Sequence, residues 1–436
     1  MVDPPMSVTP YWELTFDADG DVDRRQRDRL SAEAVRRRVE DVIVFCHGWN
    51  NDRSLATRLY DRFFALVPPL APAARIGYVG VIWPSMRFPD EPVPDFPRSS
   101  AEKDTARALI AAFPDRAAVV EQLLRTLEQR PPDVDLSGFG RLVRLLVDAV
   151  PPDPRAPYAA DTVPGEEPGM FSDPVAACSW FARASAEGFS VPNPWDGAKE
   201  LLRQAAYHAM KRRAGTVGER GLGPVIGRLA RAAPGVRVHL VGHSFGARLV
   251  SFALRGPATD VRAVKSVTLL QGAFSHYAFA PRLPHDNRGA GVLRDVQRRV
   301  DGPVVCCHSR HDTALGTFYP LASRMAGDDR SATAGPGIEG PGIGGPAIAG
   351  PGFDGPGIGG VLGARWGALG YGGVRAVPGT PGLTLAEALR GPLPAAGCVN
   401  VDAASVVRRG GPPSGAHSDI VHPELARLVL AAGRIG

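Results

Sequence analysis

Short, continuous apolar runs punctuate this chain, each bounded by polar or turn-forming residues. Val42 to Cys46, Ile76 to Trp83 and Val304 to Cys307 have this form, while Val236 to Val241 alternates apolar and polar residues and Val264 to Leu270 is an apolar strand interrupted by polar ones. Runs of that length read as strands buried on both faces of a parallel sheet. Tyr11 to Phe16 reads as a first strand, ended by Asp17-Ala18-Asp19-Gly20, and Cys398 to Val407 as the last. Between the strands the apolar positions recur at helical spacing, over residues 31–39, 55–66, 198–213, 225–233, 247–254 and 423–432. Strands that alternate with helices in this way predict an α/β protein with a doubly wound, mostly parallel sheet and helices on both faces.

The alternation breaks in two places. Residues 86–194 intervene where one helix would suffice, well beyond an ordinary loop. They open on a Pro-rich stretch, DEPVPDFP, and then show helical patterns over 101–113, 115–129 and 138–150. In the last of these Phe139, Leu142, Val143, Leu145, Leu146 and Val150 fall largely on one side. We therefore expect a core formed by residues 1–85 and 195–436, with 86–194 as a helical cap or a peripheral insertion. The second break is a run of period five over residues 336–360, PGIEG, PGIGG, PAIAG, PGFDG and PGIGG. Its Pro and Gly content argues against helix and sheet, so it is expected to be a flexible surface loop that interrupts the core.

The segment VRVHLVGHSFGARLVSFAL, residues 236–254, carries the clearest chemistry. Ser244 stands between an apolar strand and an apolar helix, on the pattern G-x-S-x-G. A serine on so tight a turn is held in strained backbone, and Gly242 and Gly246 let strand and helix pass closely on either side. Its hydroxyl then lies at a helix N-terminus, which favours developing negative charge. A second loop, His47-Gly48-Trp49-Asn50-Asn51, directly follows the apolar run at 42–46. A third, His308-Ser309-Arg310-His311-Asp312, follows the run at 304–307. A metal site built from His308, His311 and Asp312 is a weak alternative there, because no further ligand cluster accompanies it.

With its flanking strand and helix, GHSFG resembles the nucleophile elbow of the α/β-hydrolase superfamily. The His-Gly pair at 47–48 is similar to the oxyanion-hole loop of that family. HGWNND followed by VIWPS resembles an uncharacterised branch of it. The resemblance covers about two thirds of the chain and leaves out the insertion and the repeat run. It implies an α/β-hydrolase fold and a catalytic Ser244, followed in chain order by an acid and a histidine. Asp312 lies where the acid is implied, and His417 where the base is implied. The N–H groups of Trp49 and Phe245 are the implied oxyanion donors, with His47 orienting its loop. The implied reaction is hydrolysis of a carboxylic ester, or a related acyl compound, through an acyl-enzyme, with no metal or organic cofactor. Lipase, thioesterase and amidase chemistry, or a non-catalytic binding protein of the same fold, are the alternatives.

Two histidines lie between the last strand and the last helix. His422 precedes Pro423, and Pro favours the first helical position, so the backbone of His422 is committed to a helix entry. His417 follows Gly410-Gly411-Pro412-Pro413-Ser414-Gly415-Ala416, a flexible connection that can swing an imidazole over the strand ends. His417 is therefore the expected base.

Composition narrows the partners. The 436 residues are 44% hydrophobic, enough for a large core. The net charge of +5 is spread over 50 basic and 45 acidic residues, which identifies no nucleic-acid partner. The partner expected is a small acyl substrate. The five cysteines, Cys46, Cys178, Cys306, Cys307 and Cys398, are odd in number and mostly sit in predicted core strands, so buried free thiols are expected. No basic-then-apolar leader opens the sequence, and no apolar run reaches the length of a membrane helix, so stable membrane insertion is not expected and a cytoplasmic protein is.

Overall fold

The computed structural model describes residues 6–49, 51–86, 101–130, 136–147, 158–163, 170, 173–185, 193–256, 262–319, 367–411 and 414–436. The repeat run at 336–360, the DEPVPDFP stretch and Val150 lie outside the described residues. The strands are β1 (Tyr11–Thr15), β2 (Asp41–Cys46), β3 (Ile76–Ile82), β4 (Thr162–Val163), β5 (Arg237–His243), β6 (Val264–Leu270), β7 (Ala290–Gly291), β8 (Pro303–His308), β9 (Gly382–Thr384) and β10 (Gly397–Asp402). Eight of them form one sheet in the order β1-β3-β2-β5-β6-β8-β10-β9. Every neighbouring pair in that sheet is parallel. β4 and β7 form a separate antiparallel pair.

The strands read as continuous apolar runs because both faces of the sheet are covered. Val42, Val44 and Cys46 of β2 join one apolar cluster, and Ile43 and Phe45 join the other. β8 divides in the same way, with Val304 and Cys306 on one face and Val305 and Cys307 on the other. The helices Arg53–Phe64 and Pro423–Gly433 cover the second face. The helices Arg24–Arg36, Ala198–Thr216, Gly223–Ala232 and Phe245–Ala253 cover the first. All five cysteines are free and buried, and burial pushes the thiols of Cys178 and Cys307 up to about 12.

Strand order matters for the site. From β2 the chain goes to β3 on one side, and the strands that follow the insertion lie on the other side. The order reverses between β2 and β5. In open α/β sheets such a switch point leaves a crevice at the carboxyl ends of the strands, where ligands bind.

The insertion adds helices Ala101–Ala112, Ala117–Gln129, Leu136–Leu146 and Pro174–Ser185. Leu109, Val120, Leu123, Phe139, Val143 and Phe181 share one apolar cluster with Leu201 and Leu202 of the helix Ala198–Thr216. One expected position differs. Leu145 is exposed, because the buried face of Leu136–Leu146 runs through Leu136, Phe139, Gly140, Val143 and Leu146. A second difference lies just before β5. Its two expected helices are joined, not separated, by a π-helical turn at Val217–Leu222. Glycine fits that turn against the helix Phe245–Ala253: a Cβ on Gly218 would come 2.3 Å from the Leu249 carbonyl.

Asp161, fully buried, ties the insertion to that helix. It pairs with Arg248, with Lys211 at 2.9 Å, and accepts hydrogen bonds from Tyr319 Oη at 2.7 Å and Ser275 N at 2.9 Å. Arg248 also donates to the carbonyls of Lys211, Tyr158 and Ala160. These neighbours hold the Asp161 carboxyl below its usual range against the opposing cost of burial. Removing the carboxylate leaves two cations buried without their partner. Asp161→Ala is therefore expected to lose about 3–5 kcal/mol of stability, read from urea unfolding. A change under about 1 kcal/mol would show that the cluster contributes little.

Candidate active site

Four loops meet at the carboxyl ends of β2, β5, β8 and β10, in three assemblies. The first is the turn between β5 and the helix Phe245–Ala253. Ser244 has φ 56° and ψ −121°, a conformation that side chains other than glycine's rarely adopt. Tertiary contacts hold it there. Ser244 N–H donates to Leu270 O at 3.1 Å, and Ser244 O accepts from Ala273 N at 3.3 Å. A Cβ on Gly246 would fall 2.0 Å from the Cys46 carbonyl, so the helix starts hard against the end of β2. Phe245, the first residue of this helix, has its N–H where no intrahelical partner exists.

The second loop follows β2. His47 N–H donates to Tyr60 Oη at 3.0 Å, and His47 O accepts from Trp83 Nε1 at 3.0 Å. The His47 ring stacks on Trp83 with centroids 5.5 Å apart. Its Nδ1–H donates to Gly48 O at 2.8 Å, and Asn51 Nδ2 donates to the same oxygen at 3.3 Å. Gly48 sits directly on the serine: a Cβ there would come 2.6 Å from Ser244 Cβ. In a trans peptide C=O and N–H point oppositely. Drawing the Gly48 carbonyl toward His47 and Asn51 therefore turns the Trp49 N–H to the other side. The rings of Trp49 and Phe245 both pack on Tyr207, at 5.2 and 4.7 Å.

The third assembly joins the loops after β8 and β10. His417 Nε2 lies 2.9 Å from Ser244 Oγ, and His417 Nδ1 lies 2.7 Å from Asp312 Oδ2. A carboxylate oxygen accepts, so Nδ1 carries the hydrogen and Nε2 is left as acceptor for the serine O–H. Asp312 is fully buried, and its Oδ1 accepts from Leu315 N at 3.0 Å. The histidine loop, expected to be flexible, is stitched down at its described ends. Ala416 N donates to His311 O at 2.9 Å, and the Asp419 carboxylate accepts from Arg408 N and Arg409 N. His422 is the N-cap residue of Pro423–Gly433, and its Nε2 lies 2.8 Å from Asp419 Oδ1.

Ser244, Asp312 and His417, spread over the sequence, are thus joined by two hydrogen bonds, and the Trp49 and Phe245 segments flank the serine. Sequence reasoning overlooked His243 and Tyr207. The first lay inside GHSFG, whose pattern leaves that position open. The second has no local signal, because its contacts come from packing. Among the described residues no group of three or more His, Cys, Asp or Glu is placed to hold a metal ion. No helix among them is long and apolar enough to cross a membrane. The chain matches no family model, no curated protein and no solved structure.

Two buried imidazoles, His47 and His243, and the half-buried His208 lie in or near this region. Burial, the leading cause in each case, pushes His47 down to about 4 and His208 and His243 down to about 3. An unfolded histidine titrates near 6.5. As pH falls below that value the unfolded chain takes up protons that the folded chain refuses, so folding weakens. Each group contributes up to about 1.4 kcal/mol per pH unit between its two values. The urea midpoint is therefore expected to be lower at pH 5 than at pH 7, and His208→Asn should reduce that difference. Equal midpoints at the two pH values would contradict burial of these rings in neutral form.

Proposed function

We propose that the protein is a serine hydrolase of α/β-hydrolase fold that cleaves a carboxylic ester or related small acyl compound. The observation that carries this reading is the pair of hydrogen bonds linking Ser244, His417 and Asp312 on a strained strand-to-helix turn. His417 Nε2 takes the Ser244 proton as Oγ attacks the acyl carbonyl. Asp312 holds the imidazole in the tautomer that this requires and stabilises the imidazolium. The oxyanion is met by the N–H groups of Trp49 and Phe245, the second backed by the dipole of the helix Phe245–Ala253. His417 then gives the proton to the departing alcohol. Water, deprotonated by the same imidazole, attacks the acyl-enzyme and releases the acid and free Ser244.

The parallel sheet, the reversal of strand order beside Ser244 and the chain order Ser, Asp, His support this assignment over a binding protein of similar fold. An inert serine would not require the φ of 56° or a histidine at 2.9 Å.

A panel of chromogenic esters of graded acyl length, with a fluorophosphonate probe, tests the proposal. Wild-type protein is expected to turn over at least one ester and to be labelled at Ser244. Ser244→Ala should stay folded, lose labelling, and retain at most the residual that binding and oxyanion donors supply, about 10³-fold over water. Turnover at the wild-type rate in Ser244→Ala would sink the mechanism. His417→Ala should cut turnover by several orders of magnitude, whereas His422→Ala, whose ring contacts Asp419, should keep most of it. The reverse ranking would move the base to His422.

A further inference from the structure

His243, the residue before the nucleophile, has no part in the mechanism above, yet its ring contacts the pieces that mechanism uses. It ends β5 and is 4% exposed. Its Nε2 lies 2.8 Å from the backbone carbonyl of His417. A carbonyl can only accept, so Nε2 carries the hydrogen and Nδ1 a lone pair. That Nδ1 has no hydrogen-bond partner among the described residues, and it faces the other loop: a Cβ on Gly48 would come 3.2 Å from it. The His243 and His417 rings lie 4.9 Å apart between centroids.

We infer that His243 is a positioning residue that fixes the His417 backbone over Ser244 and braces the Gly48 loop. The inference rests on the serine-hydrolase reading. Asp312 holds the imidazole of His417 at Nδ1, and the N–H groups of Ala416 and His417 tie the loop to His311 and Ser414, but none of these bonds reaches the strand of the nucleophile. The bond from His243 Nε2 supplies that link, since it runs from the strand that ends in the nucleophile. A base fixed at side chain and backbone keeps the 2.9 Å approach of Nε2 to Ser244 Oγ. Burial keeps the His243 ring neutral down to about 3, so it brings no second positive charge beside His417 through the working range of a histidine base.

The test is the second-order rate of fluorophosphonate labelling, measured against pH for wild type, His243→Leu, His243→Asn and His243→Gln. Gln carries an amide nitrogen that reaches as far as imidazole Nε2, and Asn is one methylene too short. Leu and Asn are expected to label about 10- to 100-fold more slowly than wild type, the scale of a misplaced catalytic group. Gln should recover most of the rate and the wild-type pH profile. Should the Leu variant fail to fold, the Gln and Asn pair, both polar and close in size, decides alone. Wild-type rates in Leu or Asn, or Gln as slow as Asn, would overturn the inference while leaving Ser244-dependent labelling of the unmodified protein intact. No Ser244-dependent labelling of the unmodified protein would overturn the hydrolase reading and this inference with it.

Discussion

The close passage of the helix Phe245–Ala253 over the end of β2 is the constraint on which the rest of the site depends. Gly246 meets the carbonyls of Cys46 and His47 with no room for a side chain. That contact exists because β2 and β5 are sheet neighbours whose following strands lie on opposite sides. Both exit loops must therefore share one small space. The serine can enter it only on a turn with positive φ, and the loop at 47–49 only with glycine at 48. The strain at Ser244 is held by sheet pairing and by hydrogen bonds of its own backbone with Leu270 and Ala273.

A second set of the same residue types shows that composition alone does not make a site. At the opposite end of the sheet His239 places Nε2 2.8 Å from Asp41 Oδ1 and Nδ1 2.9 Å from Ser266 Oγ. A register shift in β5 after Val238 sets His239 opposite Ser266. All three are buried, and Ser266 lies within a regular strand. No strained turn, helix N-terminus or crevice accompanies them, so they tie β2, β5 and β6 together. Ser244, Asp312 and His417 differ in where the backbone carries them.

Much of this was legible in the sequence because it is local. The apolar segments predict five central strands, β2, β3, β5, β6 and β8, most plainly where burial on both faces removes alternation. The choice of His417 over His422 follows from Pro423, which commits His422 to a helix cap, and the structure places His422 there. What could not be read depends on contacts between distant segments. Asp161 meets Arg248 across 87 positions, and nothing near either residue signals the other. Leu145 was misplaced because helical spacing over 139–150 fits two overlapping stripes, and only packing against Pro174–Ser185 and Ala198–Thr216 selects one. His243 and Trp83 carry no signal until the loops they brace are in place.

The loop that carries His417 shows most directly why such contacts are needed. β8 and β10 are neighbours, so their exit loops meet at once, and Asp312 and His417 can pair without long reach. Ser244 leaves from β5, two strands from β8 and three from β10. At about 4.8 Å per strand, the imidazole must cross back by about 14 Å over the ends of β8 and β6. A loop thrown that far sideways loses position unless it is held along its course. The hydrogen bonds do this in sequence, from the N–H groups of Arg408 and Arg409 to Asp419, from Ala416 to His311, and from His243 to the carbonyl of His417. The last of these comes from β5 itself, so the strand that presents the serine also receives the loop that must meet it.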